Sequence, residues 1–127
     1  STQAKTLFPT RRSSDLDWLS LGTLYAGGGG GSGESTGGAG GSGGGGAGSG
    51  GTANATAGTA NTGGGGGGAR NNADTSNVFS GAGGSGVVII RYADTFPAAT
   101  STTGSPTITV SGGFRTYKFT GNGSITF

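Results

Sequence analysis

The sequence predicts an all-β plus irregular fold: a glycine-rich, polyglycine II-like bundle flanked by short strands, followed by a C-terminal three-stranded antiparallel β-meander. Three observations predict it. Residues 27–68 hold 24 of the chain's 34 glycines and no apolar side chain larger than alanine. The run VVIIRY at residues 87–92 is short, β-branched and almost continuously apolar. The last stretch, PTITVSGGFRTYKFTGNGSITF, alternates apolar and polar residues around glycine turns.

The glycine block decides the architecture. Hydrophobic residues make up 29% of the 127 residues, too few for a side-chain core along the whole length. Glycine runs at 27–33, 37–51, 63–68 and 81–86 are separated by three inserts: Glu34-Ser35-Thr36, TANATAGTANT at 52–62, and ARNNADTSNVFS at 69–80. Two readings stand. One is a solvated Gly/Ser tether. The other is a set of short rods joined by turns, each a glycine analogue of the polyproline II helix. Such a rod makes no internal hydrogen bonds, so its peptide groups point outward to neighbouring rods, and glycine lets the backbones approach closely. Ordering each residue costs about 1–2 kcal/mol, and each inter-rod hydrogen bond returns about 1 kcal/mol. The rods therefore need clamping by the flanking strands or by partner chains.

The flanks are read as strands. WLSLGTLY at residues 18–25 has near-alternating apolar character and reads as a strand leading into the block. Residues 87–92 read as a strand buried on both faces. Residues 93–104 read as a connection, since Pro97 denies them helix or central strand. Strands are expected at 107–110, 114–120 and 124–127. A Gly112-Gly113 turn sets Ile108 opposite Tyr117 and Val110 opposite Arg115. A Gly121-Asn122-Gly123 loop sets Phe119 opposite Ile125 and Tyr117 opposite Phe127. Ile108, Val110, Tyr117, Phe119, Ile125 and Phe127 then share one face. The domain division is 1–16 as an artefact or disordered stretch, 17–92 glycine-rich, 93–105 linker and 106–127 meander.

Two motifs carry a resemblance. GGSGVVIIRY at 83–92, with the polyglycine tract before it, and GGFRTYKFTGNGSITF at 112–127 resemble glycine-rich domains of tailed-phage structural proteins, over roughly residues 21–127. The resemblance implies a virion structural protein in a tail fibre or tail-tip adhesin, acting in host attachment. It implies packed polyglycine II helices with exposed loops at one end that touch the host receptor. Residues 52–62 and 69–80 are the expected loops, with Thr59, Asn61, Arg70, Asn71, Asn72, Asp74 and Asn77 as receptor-binding candidates. The implied partners are a host-surface glycan or outer-membrane protein and other fibre subunits, and the implied location is the virion tail or the extracellular space. The stretch TLFPTRRSSDL at 6–16 resembles an in-frame translation of a DNA-sequencing library adapter, as in a metagenomic read.

Other chemistry is thinly supported. Histidine and cysteine are both zero, which removes the commonest general base, the commonest metal ligand and any thiolate site. Without residues 1–16, Arg70, Arg91, Arg115 and Lys118 balance Asp17, Glu34, Asp74 and Asp94. These charges are scattered, so no nucleic-acid partner is expected, and no apolar run is long enough for membrane insertion. GAGGSG at 81–86 fits a dinucleotide fingerprint literally, but a strand follows it where a helix is required. Asn71, Asn72, Asp74 and Asn77 could offer oxygens to calcium, but a solvated turn explains one carboxylate among amides as well. Asp74 and Asp94 have no sequence feature bringing them together as a glycosidase pair. Asn54-Ala55-Thr56 and Asn122-Gly123-Ser124 match the glycosylation pattern without a visible secretory signal. The expectation is a non-enzymatic protein with no cofactor and no metal. The competing class is an extracellular glycine-rich protein that binds ice or glycans.

Overall fold

The computed structural model describes residues 22–70 and 78–127. Among these the fold is all-β, with five strands and no helix. Half of the expected strand at 18–25 lies outside the described residues, and 22–25 form no strand.

The glycine-rich part runs back and forth as six extended segments: one (27–33), two (37–41), three (45–50), four (53–59), five (64–69) and six (79–86). Their peptide groups pair between segments. In segment one the N–H groups of Gly27, Gly30 and Gly33 donate to the carbonyls of Gly43, Gly46 and Ser49. Gly46 and Ser49 donate to Gly65 and Gly68, and Gly65 and Gly68 donate back to Gly27 and Gly30. Segments one, three and five therefore run parallel and close a triangle of hydrogen bonds. The intervening segments run the other way. Gly38 and Gly41 of segment two donate to Gly31 and Gly28, and Gly48 of segment three donates to Gly38. Gly81 and Gly84 of segment six donate to Gly67 and Gly64.

Segment four comes from the TANATAGTANT insert. The sequence placed it in an exposed loop, but Thr56 and Thr59 donate to Ala47 and Gly44, while Ala55 and Gly58 donate to Phe79 and Ala82. Its side chains face solvent at most positions, yet Ala55, Gly58 and Asn61, three apart, are half-buried. The insert is thus a sixth member of the array, with larger residues on its open sides. The neighbour relations describe two rows, two-three-four and one-five-six, with segment three touching four others.

Glycine is needed here for space rather than for backbone angle. Positive φ is confined to the turns, at Gly44, Gly51 and Gly63 among others, with Ala26 and Asn61 as non-glycine cases. At most glycines inside the segments a Cβ would strike backbone. At Gly30 it would meet Gly38, at Gly46 Thr56, and at Gly67 Ala47 and Gly48, each within 3.0 Å. Burial repeats every third residue, at Gly27 and Gly30, at Gly43, Gly46 and Ser49, and at Gly64 and Gly67.

Side-chain packing starts after Gly86. Strand β1 (Val88–Ala93) pairs antiparallel with β4 (Phe114–Phe119), and β4 pairs with β3 (Thr107–Ser111), in the order β1-β4-β3. The β3–β4 register has Ile108 opposite Tyr117 and Val110 opposite Arg115, as the Gly112-Gly113 turn predicts. The three-stranded antiparallel sheet exists, but it is not the expected meander. Phe119 lies opposite Val88 and Tyr117 opposite Ile90, so β1 takes the place assigned to residues 124–127. A strand has two edges, and β1 and β3 occupy both edges of β4. Residues β5 (Ile125–Thr126) instead pair with β2 (Ser101–Thr102), inside the stretch read as a connection.

The stretches around this second pair meet the face where Tyr117 and Phe119 are buried: the Ala99 N–H donates to Tyr117 Oη, and Gly123 lies against the Phe119 ring. Ile108 and Val110, expected in the core, are 51% and 52% exposed on edge strand β3, and Val88 on β1 is 60% exposed. Strand β1 is half-buried rather than enclosed on both faces, because it forms the other edge. Phe127 packs edge-on against Tyr92, with ring centroids 5.5 Å apart.

Two alanine substitutions separate spatial need from mere composition. Gly67→Ala should destabilise the chain by about 1–3 kcal/mol, the range for overpacking a filled site. Gly31→Ala, where a Cβ meets nothing within 4 Å, should be neutral or stabilising by about 0.4–1 kcal/mol through reduced unfolded-state entropy. Denaturant midpoints of the two variants check this.

Candidate functional site

The array has two ends. One carries Ala26 and the turns at 42–44 and 60–63, and from it Gly86 leads into β1. The other carries Glu34-Ser35-Thr36, the turn after Gly50, and Arg70. The receptor-binding candidates divide between these ends. Thr59 is exposed at the sheet-proximal end, where its N–H donates to Gly44. Asn61 is there too, held with positive φ. Its N–H donates to Ser85 Oγ, and its Oδ1 accepts from the same hydroxyl. Arg70 stands at the distal end. Asn71, Asn72, Asp74 and Asn77 lie outside the described residues, and so does the calcium arrangement they suggested. Among the described residues no three acidic, His or Cys side chains gather as a metal set.

The distal end is built around Ser49, which is 2% exposed. Its N–H donates to Gly68, its carbonyl accepts from Gly33, and its Oγ accepts from the Arg70 N–H. Arg70 is thereby fixed at the exit of segment five. Its guanidinium sits 3.7 Å from the Glu34 carboxylate. Both side chains are solvated, so the pair contributes about 0–1 kcal/mol and leaves the charges accessible.

The C-terminal unit has a different chemistry. Tyr92 and Tyr117 stack with centroids 6.0 Å apart. The Tyr92 hydroxyl donates to the Pro97 carbonyl at 3.1 Å and lies 3.4 Å from the Tyr117 hydroxyl. The Ala99 N–H donates to Tyr117 Oη at 3.0 Å, which ties the 95–100 loop to the sheet. Burial pushes the Tyr92 phenol above the ordinary tyrosine range, and its bond to Tyr117 acts in the same direction. The hydrogen bond from Tyr92 lowers Tyr117, with the Ala99 N–H and nearby Arg115 adding to the shift. Arg115 Nε is buried without a hydrogen-bond partner among the described residues. On the opposite face, Arg91 lies 3.8 Å above the Phe114 ring, and Lys118 Nζ lies 5.5 Å from the Tyr25 ring centroid. The latter contact links sheet and array.

Two clefts flank this unit. A cleft of about 510 Å³ lies between Val88, Ile90 and Phe119 and the 121–125 loop. Another, of about 460 Å³, is lined by Tyr92, Phe96, Pro97, Ala98, Thr100 and Phe127 and is almost wholly apolar. The family model of a glycine-rich domain matches residues 4–93. The chain belongs to this glycine-rich domain family. The match takes in all six segments of the glycine-rich domain and ends with β1. No curated protein and no solved structure matches the chain significantly.

Sequence reasoning did not anticipate either cleft. Their walls join residues that meet through β1–β4 and β2–β5 pairing, both long-range, and no local pattern encodes those pairings. The signal within reach was Phe96-Pro97, an exposed aromatic beside a residue that rigidifies its loop.

Tyr117→Phe should destabilise the C-terminal unit by about 1–3 kcal/mol, since the Ala99 N–H loses its acceptor in a partly buried site. Urea denaturation followed by tyrosine fluorescence, together with faster amide exchange at Ala99, checks it.

Proposed function

We propose that the six segments form a polyglycine II bundle, and that the chain is a non-enzymatic structural domain of a phage tail fibre or tail-tip adhesin. One observation carries the reading. In segment one the bonded amides are three residues apart, at Gly27, Gly30 and Gly33. That spacing matches the three residues per turn of a polyproline II-type helix. At about 3.1 Å per residue, a seven-residue segment reaches roughly 20 Å. Membership of the glycine-rich domain family and the GGSGVVIIRY and GGFRTYKFTGNGSITF motifs support the fibre context.

A bundle of this kind suits a rigid spacer that holds a contact surface away from its attachment point. The distal end, with Arg70 and Glu34, is the surface we assign to contact with a host-surface glycan or outer-membrane protein. In this reading the domain works on the virion tail or outside the cell, beside other fibre subunits, and needs no cofactor. Residues 6–16, although within the span of the family match, carry no part of this role and have the sequence of a translated adapter.

Amide exchange tests the bundle. The amides of Gly27, Gly30 and Gly33 should be protected and those of Gly28, Gly29 and Gly31 fast, giving a three-residue rhythm; uniform fast exchange across residues 27–33 rejects the bundle. The biological role has a separate test. Reading frames beside this one should encode tail or baseplate proteins, and the purified chain should sediment with bacterial envelopes. Neighbours unrelated to virions, together with thermal hysteresis or glycan-array binding, would favour the ice- or glycan-binding class instead.

A further inference from the structure

Asn122 differs from the other described asparagines. Asn54 Oδ1 accepts the Phe79 N–H, and Asn61 Oδ1 accepts the Ser85 hydroxyl, so both amide groups are held. Asn122 and Gly123 are exposed in the loop between β4 and β5, and neither the Asn122 side chain nor the Gly123 N–H has a hydrogen-bond partner among the described residues. The pair is also the one Asn-Gly step in the sequence. A glycine after asparagine offers no Cβ to hinder approach of its nitrogen to the preceding side chain. The loop is pinned on one side of this step, where Ser124 N–H donates to Thr103 Oγ1 and Thr103 N–H donates to Ser124. On the other side Gly121 has open space around it.

We propose that Asn122 is a site of spontaneous deamidation through a cyclic imide formed with Gly123. The Gly123 nitrogen attacks Asn122 Cγ. The new N–Cγ bond forms, the Cγ–Nδ2 bond breaks, and ammonia leaves carrying the proton lost from Gly123. Water then opens the imide at either carbonyl and gives aspartate or isoaspartate. Both products add one negative charge at the mouth of the cleft between Val88, Ile90, Phe119 and this loop. Isoaspartate also inserts an extra carbon into the backbone between residue 122 and Gly123, next to Ser124, whose three hydrogen bonds to Thr103 hold β5 against β2. The modification therefore alters both the charge of the cleft and the clamp along its wall.

The full chain, native and in urea, is incubated in heavy-oxygen water at mildly alkaline pH and then cut with trypsin. Cleavage after Lys118 releases a peptide beginning at Phe119 in which Asn122 is the asparagine of the sequence. The native chain should incorporate heavy oxygen there at a rate within about tenfold of the unfolded chain, because exposed loops open at little free-energy cost. Asn122→Gln should abolish the incorporation. A native rate slower than that margin overturns the proposal, as does conversion at Asn54 or Asn61 as fast as at Asn122.

Discussion

The structure depends on close approach of peptide groups. In most domains side chains set the spacing between elements, and backbone hydrogen bonds follow within it. Here backbone contact is the packing. Carbonyls of one segment occupy the space where a Cβ of the next would stand, as at Gly30 against Gly38 and Gly67 against Ala47. The hydrophobic term that stabilises ordinary cores is almost absent from this half of the molecule. What replaces it is dense pairing of donors and acceptors whose shielding from water comes from neighbouring segments. Segments three and five are the most enclosed, each touching four others, and Ser49 shows that a side chain fits within segment three when its hydroxyl has a role.

The C-terminal unit follows more familiar rules and supplies what the array lacks. Tyr117 and Phe119 are its buried apolar residues, and Tyr117 is fixed by hydrogen bonds as well as by packing. Because β1 continues directly from segment six, the sheet anchors one end of the array. The Lys118–Tyr25 contact adds a second link at the same end. This is the clamping that the weak energetics of glycine ordering require.

Much of this was legible in the sequence. The glycine block, the β-branched strand and the Gly112-Gly113 register all follow from local chemistry, since turn type fixes register over a few residues. The partner of β4 did not. Whether residues 88–93 or 124–127 pair with it depends on which reaches its free edge, and two apolar strands of similar pattern compete for that edge. Segment four was hidden for another reason. The Thr and Asn residues of its insert look like a solvated loop, while the informative residues are Ala55, Gly58 and Asn61, spaced by three. Of the proposed contact residues, Thr59 and Asn61 proved to share an end of the array with the sheet, whereas Arg70 stands at the other. Sequence proximity is a poor guide here because the chain reverses every few residues.

The number of segments has its own consequence. Six is even, so the polypeptide leaves the array where it entered, with Ala26 and Gly86 on the same side. The glycine-rich part is thus a lateral outgrowth whose width is set by the number of there-and-back pairs. Adding or removing one such pair would widen or narrow the outgrowth without displacing the strands at its base. Length variation in evolution then has an inexpensive route, provided that insertions come two segments at a time.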